Sequence, residues 1–137
     1  KFINLCPKLV FLDVSNIRFD EKMFLGINIK ILKQLKYLHM FSRCPLVTIV
    51  DNCPNLETFW FPGTVFSTIQ NLSNLFNKCP NIKDLKIVIG ETFDGVDNRA
   101  DIMKEIVTHC HTLERLHILL SEKVRYFTTI PIDFISH

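Results

Sequence analysis

Apolar residues recur along this chain in one short pattern, C-x-x-L-x-x-L-x-L, which appears five times with small changes. From the second Leu onward, the apolar positions of the frame alternate with other positions, which is typical of a strand with one buried face. Each copy therefore predicts a short strand with its Leu, Phe or Ile side chains turned inward. The copies are residues 6–14, 32–40, 53–61, 79–87 and 110–118.

The segments between the copies carry apolar residues at helical spacing. Asp20 is placed to cap the first helix, and Gly26 and Asn28 weaken its middle. Pro45 suits the first position of the second helix. The predicted inward residues of the four helices are Met23, Phe24, Ile27 and Leu32; Leu46, Ile49, Val50 and Cys53; Ile69, Leu72, Phe76 and Cys79; and Ile102, Met103, Ile106, Val107 and Cys110.

The spacing of the copies predicts a repeat architecture. Successive first leucines lie between 21 residues (Leu35 to Leu56) and 31 residues (Ile82 to Leu113) apart, which is close to the 20–29 residues of a leucine-rich repeat. We therefore expect an α/β leucine-rich-repeat solenoid, a horseshoe fragment of about five degenerate repeats. Its strands would be short, parallel and concave, with the helices on the convex side.

Two parts of the pattern are irregular. Pro62 and Gly63 are predicted to end the third strand, because Pro cannot donate to a ladder and Gly permits a turn. The tail, residues 122–137, has no further Leu-x-x-Leu, and its alternating apolar residues fit either a closing strand or the start of an incomplete unit.

Composition narrows the setting of the domain. The chain has 137 residues, of which 47% are hydrophobic, and a net charge of +2, so we expect residues 1–137 to form a single domain. The chain opens inside a repeat, which indicates a piece of a longer protein, and exposed apolar ends predict marginal solubility. Four of the five cysteines occupy one repeat position and are expected to be reduced and buried. A cytoplasmic or nuclear location is therefore expected.

Motifs for chemistry are missing or weak. His109, Cys110 and His111 are adjacent, but structural zinc sites use paired ligands such as C-x-x-C, and the chain contains no such pair. It also contains no phosphate-cradling glycine loop and no nucleophile elbow. Basic and aromatic residues do not interleave as single-strand platforms require. We expect no catalytic residue, no metal, no cofactor, no nucleic-acid partner and no membrane partner.

The repeated frame resembles a known family. C-P-x-L-x-x-L-x-L at Cys6, Cys53 and Cys79, preceded by an amphipathic helix, resembles the cysteine-containing leucine-rich repeats of F-box proteins. The resemblance covers residues 6–119 and implies the substrate-recruiting part of an SCF-type ubiquitin ligase, with ubiquitin transfer done by partner subunits. Docking to the ligase scaffold would need a segment outside these residues. A scaffold or sensor domain unconnected to ubiquitin, immune-receptor-like or extracellular, is the alternative.

The chain departs from that family at the turn after each strand. The usual Asn or Cys, which satisfies backbone groups there, is replaced, so the expected polar ladder of the turns is missing. The residues at these places are Ile17, Arg43, Thr64, Gly90 and Ser121.

The concave face is the expected site of partner binding, because alternation turns every second strand residue outward. Trp60, Tyr37 and Phe41 are predicted to anchor a polypeptide, and Arg115 and Lys86 to set charge complementarity. Alternatively, the aromatic side chains pack on each other and only cover the sheet. The candidate partner-binding residues are Phe11, Asp13, Tyr37, His39, Phe41, Thr58, Trp60, Asp84, Lys86, Arg115 and His117.

Overall fold

Strands and helices alternate along the chain. In the computed structural model, the described residues are 2–41, 44–66, 69–90, 99–109, 111–121 and 127–130. A short 3-10 turn, Ile3–Leu5, precedes the first strand. The strands are β1 (Phe11–Asp13), β2 (Tyr37–His39), β3 (Thr58–Phe66), β4 (Asp84–Gly90), β5 (Arg115–Ser121) and β6 (Phe127–Ile130), and the helices are α1 (Glu21–Leu25), α2 (Ile29–Gln34), α3 (Leu46–Asn52), α4 (Ile69–Lys78) and α5 (Arg99–His109).

The strands form one sheet in the order of the sequence. β1 to β5 are parallel, and β6 pairs antiparallel with β5. The predicted α/β fold with parallel strands is confirmed. For the tail, the closing strand is the alternative that the structure contains.

Each junction between neighbouring units uses the same hydrogen bonds. The amides of Lys36 and Tyr37 both donate to the carbonyl of Val10, at 2.9 and 3.0 Å. In the next three junctions, two successive amides likewise share the carbonyl of Lys36, Glu57 or Lys83. The four junctions therefore repeat one local geometry, as the repeated sequence frame predicts.

The core lies between the helices and one face of the sheet. Leu38, Phe59 and Leu85 on the strands are fully buried together with helical residues such as Phe24 and Ile49. Phe59 and Phe61 stack inside this core with ring centroids 5.4 Å apart. The helices α2 to α5 contact one another in chain order, so each unit buries its apolar face against its neighbours.

The first helical segment divides where the sequence weakens it. Asp20 accepts a hydrogen bond from the Met23 amide and caps α1, as predicted. Gly26 ends α1, and the Asn28 side chain caps α2 by accepting from the Lys30 amide.

Two predicted inward helix residues are wrong. Met23 is 45% exposed and Val107 is 43% exposed, so each lies outside the part of its helix that is buried against the sheet. Leu75, which the predicted spacing omitted, is fully buried. Ile69, Leu72 and Ile102 have side chains that lie outside the described part of the structure.

The predicted end of the third strand is also wrong, because β3 continues to Phe66. Its pairing with β4 shifts between Phe61 and Val65, so that Val65, and not Pro62, pairs with Val88. A bulge of this kind accommodates Pro, since the residues within it have no ladder hydrogen bond to make.

Two of the repeat cysteines, Cys53 and Cys79, are buried as expected, and Cys44, which lies outside the repeated frame, is buried as well. The Cys79 thiol donates to the carbonyl of Cys53 at 3.2 Å, so the repeat cysteine also links adjacent units. Cys6 is exposed, contrary to the prediction, because a 3-10 turn precedes it where an α-helix precedes the later cysteines. Cys110 lies outside the described residues.

Polar side chains at the third position of the frame connect successive units. Gln34 donates to the carbonyls of Pro7 and Leu9 at 2.7 and 2.8 Å. Thr112 donates to the carbonyls of Pro80 and Ile82 at 3.3 and 2.8 Å, and Asn55 donates to the carbonyl of Lys33. A polar ladder therefore connects the units before the strands. This place differs from the turn after each strand, where the family pattern has its polar residue.

Candidate binding surface on the open face of the sheet

The face of the sheet opposite the helices, here called the open face, presents two rows of side chains. The strand register aligns Phe11, Tyr37, Thr58, Asp84 and Arg115 in the first row. It aligns Asp13, His39, Trp60, Lys86 and His117 in the second row. The sequence frame predicts the same positions for these ten site residues, and the observed register agrees.

Three aromatic rings run across the first three strands. The rings of Phe11 and Tyr37 stack with centroids 3.8 Å apart and an interplanar angle of 9°. Trp60 follows at 6.0 Å from Tyr37, tilted by 55°. Phe11 is 55% exposed, whereas Tyr37 and Trp60 are half-buried. These three rings, here called the aromatic row, form a partly accessible apolar strip that begins in the first row and ends at Trp60 in the second.

Trp60 is the centre of the face. The rings of His39 and His117 approach it edge-on, with centroids 5.2 and 6.4 Å away. The Lys86 ammonium lies 5.3 Å from the centre of its ring, within the range of a cation–π contact. The indole N–H donates to Asp84 Oδ1 at 3.1 Å. These contacts fix the orientation of the indole before any partner binds.

Asp84 differs from its predicted role, because it is only 4% exposed. Its second oxygen, Oδ2, lies 3.0 Å from Nε of Arg115, whose side chain is 70% exposed. The carboxylate therefore pairs with Nε of Arg115 and holds Trp60, and it is not itself presented to a partner.

The opposite end of the second row carries a different acid. Asp13 Oδ1 accepts from both the amide and the hydroxyl of Ser15, at 3.0 and 2.6 Å. These hydrogen bonds lower the pKa of Asp13, and His39, with Nδ1 3.4 Å from Oδ2, adds to the shift. Asp13 is thus kept ionised at this end of the face.

The ionisation of Tyr37 is also affected by its place on this face. Burial raises the pKa of its phenol, and the charges of Asp13 and Asp84 raise it further. Tyr37 therefore stays neutral in the physiological range.

One predicted site residue, Phe41, stands apart from the two rows. Phe41 lies beyond the end of β2, is 59% exposed, and has no ring contact among the described residues. Thr58 is half-buried in the first row between Tyr37 and Asp84. The structure therefore brings together the other ten predicted residues along the two rows.

Sequence reasoning missed the connections within this surface. It did not find the Trp60–Asp84 hydrogen bond or the role of Ser15 beside Asp13. One signal was present in the sequence. The frame places Asp84 on the strand next to that of Trp60, two residues before Lys86, which is the residue opposite Trp60. A half-buried indole N–H needs an acceptor, and Asp84 was the acid within reach.

A half-open cavity of about 230 Å³ lies between the ends of α4 and α5. His109 is on its rim and contacts Glu105 at 3.3 Å. Cys79 contributes to its lining, but burial raises the pKa of this thiol to about 12, so it is a poor nucleophile. The lining residues are Phe76, Cys79, Pro80, His109, His111 and Thr112.

Two kinds of feature are absent from the described part of the chain. No group of three or more metal-ligating side chains converges there. No helix there combines the length and the apolar character that crossing a membrane needs.

Comparison with known proteins gives no relative. No family model, curated protein or solved structure matches this chain. The functional argument therefore rests on the open face itself.

Proposed function

We propose that the chain is a leucine-rich-repeat solenoid and that its open face binds another protein. The repeat interpretation is supported by the four equivalent junctions and by the frame residues that fill one core. The binding interpretation is carried by one observation, the aromatic row Phe11–Tyr37–Trp60 on the accessible face. Tyr and Trp are enriched among the residues that dominate protein interfaces.

The length of the first row of the open face favours a polypeptide ligand over a small molecule. The first row crosses five strands, or about 19 Å at the ordinary strand spacing of about 4.8 Å. An extended peptide of about six residues has this length. Small-molecule sites, in contrast, are concave and bury most of their ligand. The open face is therefore better suited to a peptide segment that lies across the strands.

In the alternative interpretation, these rings pack on one another only to cover the sheet and bind no partner. Packing among Phe11, Tyr37 and Trp60 is real, and it lowers the cost of ordering them on binding. Since Phe11 stays more than half exposed, the row is not sealed by its own packing. Preorganised and accessible aromatic surface is what a binding site requires.

The resemblance to F-box proteins adds a cellular context to this proposal. In that context the open face recruits a substrate for ubiquitination, and the chain itself performs no chemistry. Co-purification of the full-length protein with the adaptor subunit of an SCF ligase would support it. Protein binding without the adaptor would leave a scaffold or sensor role instead.

Selection from a random peptide library displayed on phage tests the binding proposal. The immobilised 137-residue chain is the target, and peptides are expected to be enriched over several rounds. In the double variant Phe11→Ser/Tyr37→Ser, the selected peptides are expected to bind at least tenfold more weakly, because the accessible apolar strip is lost.

The matched control is Val47→Ser/Val107→Ser, which removes two apolar side chains exposed on α3 and α5. It should leave peptide binding unchanged. Selected peptides that bind both double variants equally well would contradict the proposal, provided that both variants melt cooperatively.

A further inference from the structure

Charge is distributed unevenly along the open face. The first strand carries the exposed acid Asp13, whereas Lys86 and Arg115 lie on the fourth and fifth strands. The acid between them, Asp84, is buried and already engaged with Trp60 and Arg115. Accessible negative charge is therefore at one end of the rows and accessible positive charge at the other.

The positive end is available to a ligand. Lys86 is half-buried, and among the described residues its ammonium has no carboxylate partner, only the Trp60 ring. Arg115 uses Nε for Asp84, and with 70% of its side chain exposed most of its guanidinium faces solvent. A guanidinium and an ammonium on adjacent strands together favour a carboxylate.

Charges at the neighbouring edge of the sheet do not alter this asymmetry. The residues just before the strands alternate in sign from unit to unit, so their contributions largely cancel. In order they are Lys36, Glu57, Lys83 and Glu114. With Asp84 offset by one of the two cations Lys86 and Arg115, one net positive charge remains at the β4–β5 end of the rows, opposite the negative charge of Asp13.

We infer that the partner segment is an extended peptide with an acidic side chain over Lys86 and Arg115 and an apolar side chain on the Phe11–Tyr37 stack. This inference rests on the proposed function and gives its ligand a chemistry. The ionised Asp13 repels an acid at the aromatic end, which fixes the direction in which the peptide lies across the sheet.

The strand spacing gives the separation between the two side chains. The Phe11–Tyr37 stack is centred between β1 and β2, and the cationic pair lies between β4 and β5, three strand spacings away. Three spacings correspond to about 14 Å. In an extended peptide this distance separates residues i and i+4, which also point to the same side. The residue between them, i+2, lies over Trp60.

The test uses a synthetic library of extended nine-residue peptides with one fixed Leu and all other positions randomised. Binding to the full chain is expected to enrich Asp or Glu four residues from the Leu. Replacing that acid by its amide in a selected peptide should weaken binding about tenfold, the usual order for a lost charge-assisted hydrogen bond.

Lys86→Gln should abolish the preference for the acid over the amide or reduce it to less than threefold. Lys83→Gln removes the same charge from the sheet edge and should preserve the preference. Because Arg115→Gln alone would leave buried Asp84 without its cation, Arg115 is tested as Arg115→Gln/Asp84→Asn, which should also reduce the preference.

The outcomes separate this inference from the proposed function. Peptides that need Phe11 and Tyr37 but bind equally well as acid and amide would overturn the acidic ligand and leave protein binding intact. Enrichment of the acid at a separation other than four residues from the Leu would overturn the extended binding mode. If no selected peptide depends on Phe11 and Tyr37 for binding, both the acidic ligand and the proposed function are overturned.

Discussion

Asp84 is the buried charge that organises the open face. Its two oxygens engage the Trp60 indole and the Arg115 guanidinium, so the acid loses its hydration but keeps two partners. Removing one partner of a buried charge costs more than an exposed contact would, since the charge remains buried. The stability of the sheet and the orientation of Trp60 are therefore coupled.

Trp60→Phe is expected to lower the free energy of unfolding by about 1–2 kcal/mol, because Asp84 loses a hydrogen-bond donor. In an Asp84→Ala background the same change should cost much less. Tyr37→Phe is the control, with an expected change within about 0.5 kcal/mol. Urea unfolding of the four variants and the wild type gives these values. Equal costs of Trp60→Phe in both backgrounds would show that the hydrogen bond does not contribute.

The buried thiols make stability depend on alkaline pH. Burial raises the pKa of Cys44 to about 11 and of Cys79 to about 12, from 9.0. The native state thus holds its protons more tightly than the unfolded chain does. This contribution to stability is complete below about pH 9 and is lost as pH rises through 11 and 12.

Raising the pH from 8 to 10.5 is therefore expected to lower the melting temperature, and the decline should be shallower in Cys79→Ala. Thiol labelling in a Cys110→Ser background checks the burial directly. At pH 8, exposed Cys6 should react at once, and Cys44, Cys53 and Cys79 only on unfolding. Four thiols that react at one fast rate would contradict it.

At the scale of elements, two ladders connect each unit with the next. One is the shared carbonyl at the start of each strand, and the other is the side-chain donor at the third frame position. The first is a property of the backbone and tolerates substitution. The second depends on particular side chains, here Gln34, Asn55 and Thr112.

Gln34→Ala is expected to destabilise the chain by about 1–2 kcal/mol, because the carbonyls of Pro7 and Leu9 lose their side-chain donor. Lys33→Ala, at the neighbouring exposed position, should change stability by less than about 0.5 kcal/mol. Chemical denaturation of both variants makes the comparison. Equal destabilisation by Lys33→Ala and Gln34→Ala would show that the Gln34 hydrogen bonds do not contribute to stability.

The elements show what the sequence pattern can and cannot predict. Alternation assigned Leu38, Phe59 and Leu85 to the core and their neighbours to the open face, since the side-chain period of a strand is two. It could not predict that β3 passes through Pro62, because a bulge leaves the apolar pattern before it unchanged. Contacts between strands, such as Trp60 with Asp84, depend on rotamers and not on period.

At the scale of the whole molecule, the exposed apolar side chains among the described residues are concentrated in residues 2–29, here called the first unit. Phe2 and Leu5 are 84% and 77% exposed, and Ile17 and Leu25 are more than half exposed. Apolar surface of this extent favours association. The expected marginal solubility of the chain alone therefore has a definite structural location.

Phe2→Ser/Leu5→Ser is expected to reduce concentration-dependent association, measured by sedimentation velocity. Val47→Ser/Val107→Ser changes two exposed apolar residues elsewhere and should leave association as it is in the wild type. Equal association in all three proteins would place the contact outside the first unit.

The central claim is that a partner peptide covers the aromatic row on the open face. Trp60 is the only tryptophan of the chain, so its fluorescence reports on that face without any label. The most direct measurement is acrylamide quenching of Trp60, with and without a saturating selected peptide that lacks tryptophan. The bound peptide is expected to protect Trp60 and to lower the quenching constant at least twofold. Tight binding with unchanged quenching would contradict the central claim.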